Sequence, residues 1–311
     1  EAINLGLFGA LSPGDRVVTT SMEHNAVVRP LQALSSKGVN VVRVMADADG
    51  SVAPAAIREA CLPGTRMLVM NHCSNVTGTL QPIEEIGPWC REQGILFMVD
   101  AAQSAGIFTI DATEMAIDLL AVPGHKSLLG PTGTGFLFVH PDLVLRPLLY
   151  GGTGNFSQST AQPEEMPERL ESGTLNTVGL AGLKAGLEFL ESVGLAHVRA
   201  HEQELIGMLI EGLQEIEAVT LYGPLGTERH GGALSFNIKN VDPSMLGFRL
   251  DREYGICCRT GLHCAPEAHG SIGTLPEGTV RLSPGLFNSV EDIEKTLKAV
   301  RAIVSAETGH R

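Results

Sequence analysis

The chain has 311 residues, 43% of them hydrophobic, which is enough for a large core in about two domains. Its net charge is −13, no basic block stands out, and no apolar run approaches the roughly eighteen residues of a membrane span, so we expect neither nucleic acid nor membrane as a partner. The six cysteines form no paired CxxC framework, which argues against zinc and favours a reducing, cytoplasmic location.

Short apolar runs alternate with helical patterns in the first half of the chain. The pattern predicts helices over 1–11, 22–34, 54–61 and 83–93, and strands over 16–20, 39–44, 67–70 and 95–100, with a further strand ending at Val139. This alternation predicts parallel strands joined by crossover helices. Ligands of such sheets bind beyond the carboxyl ends of the strands.

The pattern changes in the second half. A loop over 151–177 leads to helices over 178–193 and 196–217, then strands over 234–238, 256–259 and 279–282, and a closing helix over 290–304. The predicted fold is therefore α/β, with a large, mainly parallel sheet domain (1–190) and a small C-terminal α+β domain (191–311).

A lysine on a glycine-rich bend follows a strand that ends in an acid. The acid is Asp100, and the lysine is Lys126, which follows His125. This pair suits a pyridoxal 5′-phosphate (PLP) site, where a lysine binds the aldehyde and an acid pairs with the protonated pyridine nitrogen. Taken singly, the two residues are more typical of a solvated loop lysine and a helix cap, and it is the rest of the chain that favours the cofactor site.

Other polar residues lie near the predicted strand ends and turns. His24 could stack on a cofactor or act as an acid or base, or it could cap a helix. Asn75 could bind an oxygen or simply form a turn, and Gln103 could be a surface amide. Ser172 and Thr174, at a predicted helix start, could bind phosphate or serve as the N-cap.

A cysteine near the C-terminus is a candidate nucleophile. Cys264 lies on a glycine-bearing loop that we expect to be exposed and mobile, and the neighbouring Arg259 and His263 would favour its thiolate. Arg281 ends a predicted strand, where its guanidinium could grip a substrate carboxylate or form a structural salt bridge.

In this order, the motifs resemble the class V, fold-type I PLP enzymes, and most closely the cysteine desulfurase and selenocysteine lyase group. The resemblance covers nearly the whole chain. The motifs are residues 1–4 (EAIN), 23–25 (EHN), 74–78 (SNVTG), 99–103 (VDAAQ), 124–126 (GHK), 172–174 (SGT) and 259–265 (RTGLHCA).

The resemblance implies a PLP cofactor and a large sheet of the seven-stranded type. Lys126 would bind the cofactor and move substrate protons, Asp100 would hold the pyridine proton, and His24 would stack on the ring. Gln103 would contact the phenolic oxygen. The phosphate contacts would be His125 and, at the partner subunit's cofactor, Thr174.

The resemblance also implies a reaction on a small amino acid, cysteine or selenocysteine. Asn75 and Arg281 would hold the substrate carboxylate, with Arg259 as a further substrate-binding residue. Cys264 would take the substrate sulfur as a persulfide, leaving alanine. A homodimer with sites at the subunit interface and a sulfur-acceptor protein are the implied partners.

Two departures from the family pattern bear on cofactor binding. The family has a segment before the position of Glu1 that includes a phosphate-binding threonine, and a molecule that starts at Glu1 would bind phosphate and its dimer partner more weakly. Pro123 stands where many members carry a serine. The alternatives left open are a class V aminotransferase, a selenocysteine lyase, and a cofactor-free sulfur-relay scaffold.

Overall fold

The computed structural model describes residues 1–308, and its larger sheet has six strands. They are β1 (Arg16–Thr20), β2 (Asn40–Val44), β3 (Thr65–Asn71), β4 (Leu96–Asp100), β5 (Leu119–Pro123) and β6 (Gly135–Val139). Their spatial order is β2-β1-β3-β4-β5-β6, and only β6 is antiparallel to its neighbour. The described residues thus give six strands rather than seven. The sequence did not predict β5, because a short apolar run merging into a glycine-rich bend carries little periodicity.

Helices cover both faces of this sheet. They include α1 (Ala2–Ala10), α2 (Asn25–Ser35), α3 (Pro54–Ala60) and α4 (Ile83–Gln93). Successive strand residues face opposite sides, so Met98 packs in one buried cluster and Val99 in another. Burial on both faces explains why the central strands are continuous apolar runs rather than alternating ones.

A second sheet has its own core. Two long helices, α5 (Thr177–Val193) and α6 (Leu195–Gln214), lead to β7 (Val219–Tyr222), β8 (Leu234–Ile238), α7 (Pro243–Tyr254), β9 (Arg259–Gly261), α8 (Pro266–Ser271), β10 (Thr279–Leu282) and α9 (Val290–Thr308). The strand order is β7-β8-β10-β9, with antiparallel pairs throughout. The predicted fold class is confirmed. The division after residue 190 stays a prediction, and that position lies inside α5.

The strand predicted over 256–259 is displaced toward the C-terminus. β9 begins at Arg259, and it is Arg259–Gly261 that pairs with β10. The apolar residues Ile256 and Cys258 pack against the small-domain core outside any strand. These residues are apolar because they are buried, and not because they belong to a strand, which is why the predicted strand began too early.

Helix α8 does not pack with the small sheet that precedes it. Ala265, Ala268 and Ile272 are buried in the same cluster as Val18 and Val99 of the large sheet. The loop between β9 and α8 therefore joins the two cores, and it is this loop that carries Cys264. Across residues 1–308, no helix is long and apolar enough to cross a membrane.

Candidate active site

Four predicted site residues lie at one edge of the large sheet. His24 follows β1, Asn75 follows β3, Asp100 ends β4, and Lys126 follows β5. These four strands are parallel neighbours, so their carboxyl ends face the same way. The structure thus brings these residues to one edge, as the alternation of strands and helices predicts.

Lys126 and Asp100 influence each other's charge. Burial lowers the pKa of Lys126, and this effect is opposed by the Asp100 carboxylate and reinforced by Arg281. Burial also raises the pKa of Asp100, against the backbone N–H of Ala102, which donates to Oδ1 at 2.9 Å, and against the charge of Lys126. A lysine whose neutral form is favoured can act as a nucleophile, and the buried acid beside it can hold a proton.

Asn75 and Arg281 contact each other and leave unsatisfied groups. Arg281 Nη1 donates to the Asn75 carbonyl at 2.7 Å, while Asn75 Nδ2 donates to the His263 carbonyl at 2.7 Å. Two of their buried atoms, Arg281 Nε and Asn75 Oδ1, have no hydrogen-bond partner. Because buried polar atoms are nearly always paired in folded proteins, these two mark a place for a polar ligand.

The side chain of Cys264 is exposed and lies beside a cation. Arg259 Nη2 donates to Cys264 Sγ at 3.3 Å, so a guanidinium lies in direct contact with the sulfur. His263 and Cys264 both have left-handed backbone, with φ of 48° and 60°. That conformation costs a non-glycine residue about 1–2 kcal/mol. The loop expected to be mobile is instead anchored, because the Asn25 N–H at the start of α2 donates to the Cys264 carbonyl at 2.7 Å.

The prediction that His263 supplies positive charge is wrong. Its ring is buried, and Nε2 shares a hydrogen bond with Thr279 Oγ1 at 3.0 Å. Burial, with a further contribution from Arg281, lowers the pKa of His263 to about 3. A neutral imidazole cannot stabilise a thiolate by charge, so Arg259 is the cation in direct contact with Cys264.

His24 caps α2 as well as facing the site. Its Nδ1 accepts the Ala26 N–H at 3.0 Å, which fixes the ring at the helix N-terminus and leaves Nε2 available. Burial lowers the pKa of His24, as do the nearby charges of Lys126 and Arg259. These effects favour the neutral form of the ring.

Thr174 is not at a helix start. Helix α5 begins at Thr177, and its N-cap is Asn176, whose side chain accepts the Gly179 N–H at 3.0 Å. Thr174 is exposed in the preceding turn. His125 is also exposed and Gln103 is half-buried, and within residues 1–308 no side-chain hydrogen bond joins either to the other site residues.

Two buried acids near the site are not among the residues predicted from the sequence. Glu23 is fully buried, and its Oε1 accepts from Thr20 Oγ1 at 2.6 Å and from the Asn71 N–H at 3.1 Å. Burial raises the pKa of Glu23 to about 8. Glu202, on α6, is 5% exposed and lines a cavity of about 280 Å³ that Lys126 also lines. Glu23 lies beside His24 in a motif and could have been noticed, whereas Glu202 carries no such signal.

Replacing Glu23 with glutamine should remove one pH dependence of folding stability. The folded-state pKa is about 8 against the ordinary value of 4.5, so between these limits the folded state holds a proton that the unfolded state has lost. Wild-type stability should therefore fall as pH rises through this window, by up to about 1.4 kcal/mol per pH unit from this group. Relative to wild type, Glu23→Gln should gain stability as pH rises from 5 to 8, as measured by urea unfolding.

Glutamine keeps the Oε1 acceptor for Thr20 and Asn71, so the variant should fold. The matched control is Glu92→Gln, an exposed acid at the end of α4. Parallel stability curves for Glu23→Gln and wild type over this pH range would contradict a protonated Glu23.

Comparison with known proteins identifies the family of this chain. The sequence matches the model of the family described as Aminotransferase class-V over residues 1–296. It is 37% identical to a "Probable cysteine desulfurase" of Methanothermobacter thermautotrophicus, covering 94% of this chain and 74% of that protein. A protein of the same description from Pyrococcus abyssi is 35% identical, over 98% of this chain and 77% of the relative.

A solved structure gives the same result. The apo structure of cysteine desulfurase from Thermococcus onnurineus NA1 superimposes with a TM-score of 0.92 at 33% identity, covering 98% of this chain and 77% of that one. The family resemblance predicted from the sequence motifs is confirmed. The chain belongs to the class-V aminotransferase family.

Proposed function

We propose that this protein is a PLP-dependent cysteine desulfurase that converts L-cysteine to L-alanine and takes the sulfur onto Cys264. The observation that carries the proposal is the contact between Arg259 and Cys264, which places an exposed thiol against a guanidinium at the site of Lys126 and Arg281. The names of the relatives support the same reaction. A class V aminotransferase needs Lys126 but has no use for this thiol.

The residues present fit PLP. The site offers a lysine with a lowered pKa, a buried acid with one engaged oxygen, and buried polar atoms without partners. The residues that would hold the cofactor are His24, Asn75, Asp100, Gln103, His125, Lys126 and, across a dimer interface, Thr174. When bound, PLP would supply an electron sink for bond breaking at the amino acid.

The side chains around the cofactor position would hold and move protons and bind the substrate. Asp100 would hold a proton at its carboxylate, because burial raises its pKa and so disfavours loss of that proton. Lys126 would accept and return substrate protons at Nζ, because its lowered pKa permits both states. Arg281 would bind the substrate carboxylate, with Nε as the free donor and with Asn75 and Arg259 as neighbours.

Cys264 would perform the sulfur transfer. Its thiolate Sγ attacks the sulfur of the substrate, and the carbon–sulfur bond breaks. The electron pair of that bond goes to the substrate carbon, which takes a proton and becomes the methyl group of alanine. The products are alanine and a Cys264 persulfide, so no external oxidant or reductant is needed for this step. The sulfur can then pass to an acceptor thiol by exchange.

The wider organisation is part of the proposal. We infer a homodimer, supported by the apolar side chains that α5 exposes, among them Val178, Leu187 and Phe189. We also propose a large domain over 1–190 and a small domain over 191–311. The proposal further includes a sulfur-acceptor protein as partner and a cytoplasmic location. All six cysteines are free, in keeping with a reducing compartment.

Alanine and sulfide release from L-cysteine, measured with added PLP and a thiol reductant, tests the reaction. Equal amounts of the two products support the proposal. Amino-group transfer to a keto acid without sulfide would instead establish an aminotransferase, and strong preference for selenocysteine would establish a selenocysteine lyase. If the protein neither turns over cysteine nor takes up the cofactor, the sulfur-relay scaffold is the remaining alternative.

Arg281→Lys should raise the KM for cysteine about tenfold or more, because a point charge replaces a planar fork in a charge-assisted contact. The kcat should change less, and the absorbance of the bound cofactor should stay intact. Steady-state kinetics would measure both values, with Arg66→Lys on the exposed side of β3 as the control. An unchanged KM would assign Arg281 to structural support of the Asn75 turn.

A further inference from the structure

The position of Cys264 depends on the large domain more than its place in the sequence suggests. The residue lies between β9, which belongs to the small sheet, and α8, which packs in the large-domain core. Its strained backbone conformation persists only if the surroundings hold it. The contacts that tie α8 to the large domain therefore bear directly on where the thiol lies.

Two side-chain contacts fasten α8 to the large domain. Arg43 Nε, on β2, donates to Glu267 Oε2 at 2.9 Å, and both side chains are about two-thirds shielded from solvent, with 29% and 31% exposed. Ser21, just after β1, shares a hydrogen bond of 2.7 Å with Ser271 at the other end of α8. Ser21 Oγ also accepts the Ala46 N–H at 2.9 Å, which leaves its own proton free for Ser271.

These two contacts hold both ends of α8, and the first residue of α8 is two positions after Cys264. Two hydrogen bonds to carbonyls of the loop hold the loop itself, one from the Asn25 N–H to Cys264 and one from Asn75 Nδ2 to His263. The second donor is a side chain that faces the ligand site. Arg43 and Ser21 lie outside that site. They can hold the loop without competing for substrate.

We propose that Arg43 and Ser21 are positioning residues for Cys264, holding α8 so that Sγ stays beside Arg259 and within reach of the substrate sulfur. This inference rests on the proposed desulfurase reaction for its kinetic consequence. Its structural consequence, the anchoring of residues 262–272, is independent of that reaction.

The kinetic test measures single-turnover persulfide formation on Cys264 by mass spectrometry in the holoenzyme at saturating L-cysteine. Arg43→Gln should slow this step about tenfold, since small displacements of a reacting group are costly, while leaving the cofactor absorbance unchanged. The exchange Arg43→Glu with Glu267→Arg should recover most of the rate. The matched control is Arg58→Gln, which removes an ion pair of 2.7 Å to Glu85 elsewhere on the same domain.

Two further measurements separate positioning from general damage. In the Cys264→Ser background, adding Arg43→Gln should not alter the rate at which L-cysteine changes the cofactor absorbance. In the otherwise wild-type protein, Arg43→Gln should raise backbone hydrogen exchange over residues 262–272, whereas Arg58→Gln should not.

Three outcomes would overturn the inference. They are a wild-type persulfide rate in Arg43→Gln, an equal loss in Arg58→Gln, and a matching loss of the substrate-induced absorbance change in the Cys264→Ser background. If the wild-type protein forms no persulfide, the proposed function fails. The anchoring role of Arg43 is then tested by hydrogen exchange alone. Equal exchange over 262–272 in the Arg43→Gln and Arg58→Gln variants would then reject the anchoring role.

Discussion

Lys126→Ala is expected to abolish turnover of L-cysteine, with a loss of at least about 10⁴-fold, because one side chain provides both the attachment of the cofactor and the movement of substrate protons. Borohydride treatment should leave no cofactor attached to the variant, whereas wild type should retain it. The fold should survive, since within residues 1–308 the lysine forms no ion pair and its burial already disfavours its charge.

The control for this experiment is Lys184→Ala, which removes an exposed lysine paired with Glu188 on α5. That variant should retain full activity and cofactor. A cofactor that borohydride still fixes to Lys126→Ala would assign the attachment to another lysine. It would also remove the central residue of the proposed site.

Cys264→Ser is expected to stop persulfide formation and to cut sulfide release from cysteine by at least about 100-fold, because a hydroxyl is a far weaker nucleophile toward sulfur than a thiolate. Cofactor binding should be unaffected, since the side chain is exposed and its one described hydrogen bond is with Arg259. Cleavage of selenocysteine should be partly spared, because selenium leaves more readily without a nucleophile.

Alkylation provides a second measure of the same residue. Cys264 should be modified first in the wild-type protein, and excess L-cysteine should slow the modification. Cys257→Ser is the matched control, because Cys257 is also exposed but has no described contact with Arg259. Wild-type release of alanine and sulfide by Cys264→Ser would replace the desulfurase proposal with an aminotransferase or a general lyase.

The placement of the site was predictable from the sequence because it follows from strand direction. Parallel strands with crossover helices put the carboxyl ends of the strands at one edge, so His24 and Asp100 needed only correct strand boundaries. Lys126 follows β5, which was not predicted, and its glycine-rich bend was the signal for it. Local chemistry also predicted the pairing of Cys264 with Arg259, since the two flank a short glycine-bearing turn.

Other features depend on contacts that no local pattern encodes. In the sequence, His263 is as close to Cys264 as a cation would need to be, just as Arg259 is. In the structure its ring points into the interior toward Thr279, and burial lowers its pKa so that the neutral form is favoured. The raised pKa of Glu23 depends on its complete burial between the ends of β1 and β3, where Thr20 and Asn71 contact it. Thr174 was expected at a helix start because serine and threonine are common caps, but Asn176 is the better-placed acceptor here.

The contacts that hold the nucleophile have a consequence for biosynthesis. Ser21 and Ser271 are separated by 250 residues along the chain, Arg43 and Glu267 by 224, and Asn75 and His263 by 188. Contacts between such distant parts of a chain form late, because a large loop must close before they contribute any stability. During synthesis, the large sheet can assemble while α8 is still inside the ribosome, and it exposes the apolar surface that α8 later covers. We therefore expect the nascent protein to be most prone to aggregation after the large sheet forms and before α8 emerges to cover this surface.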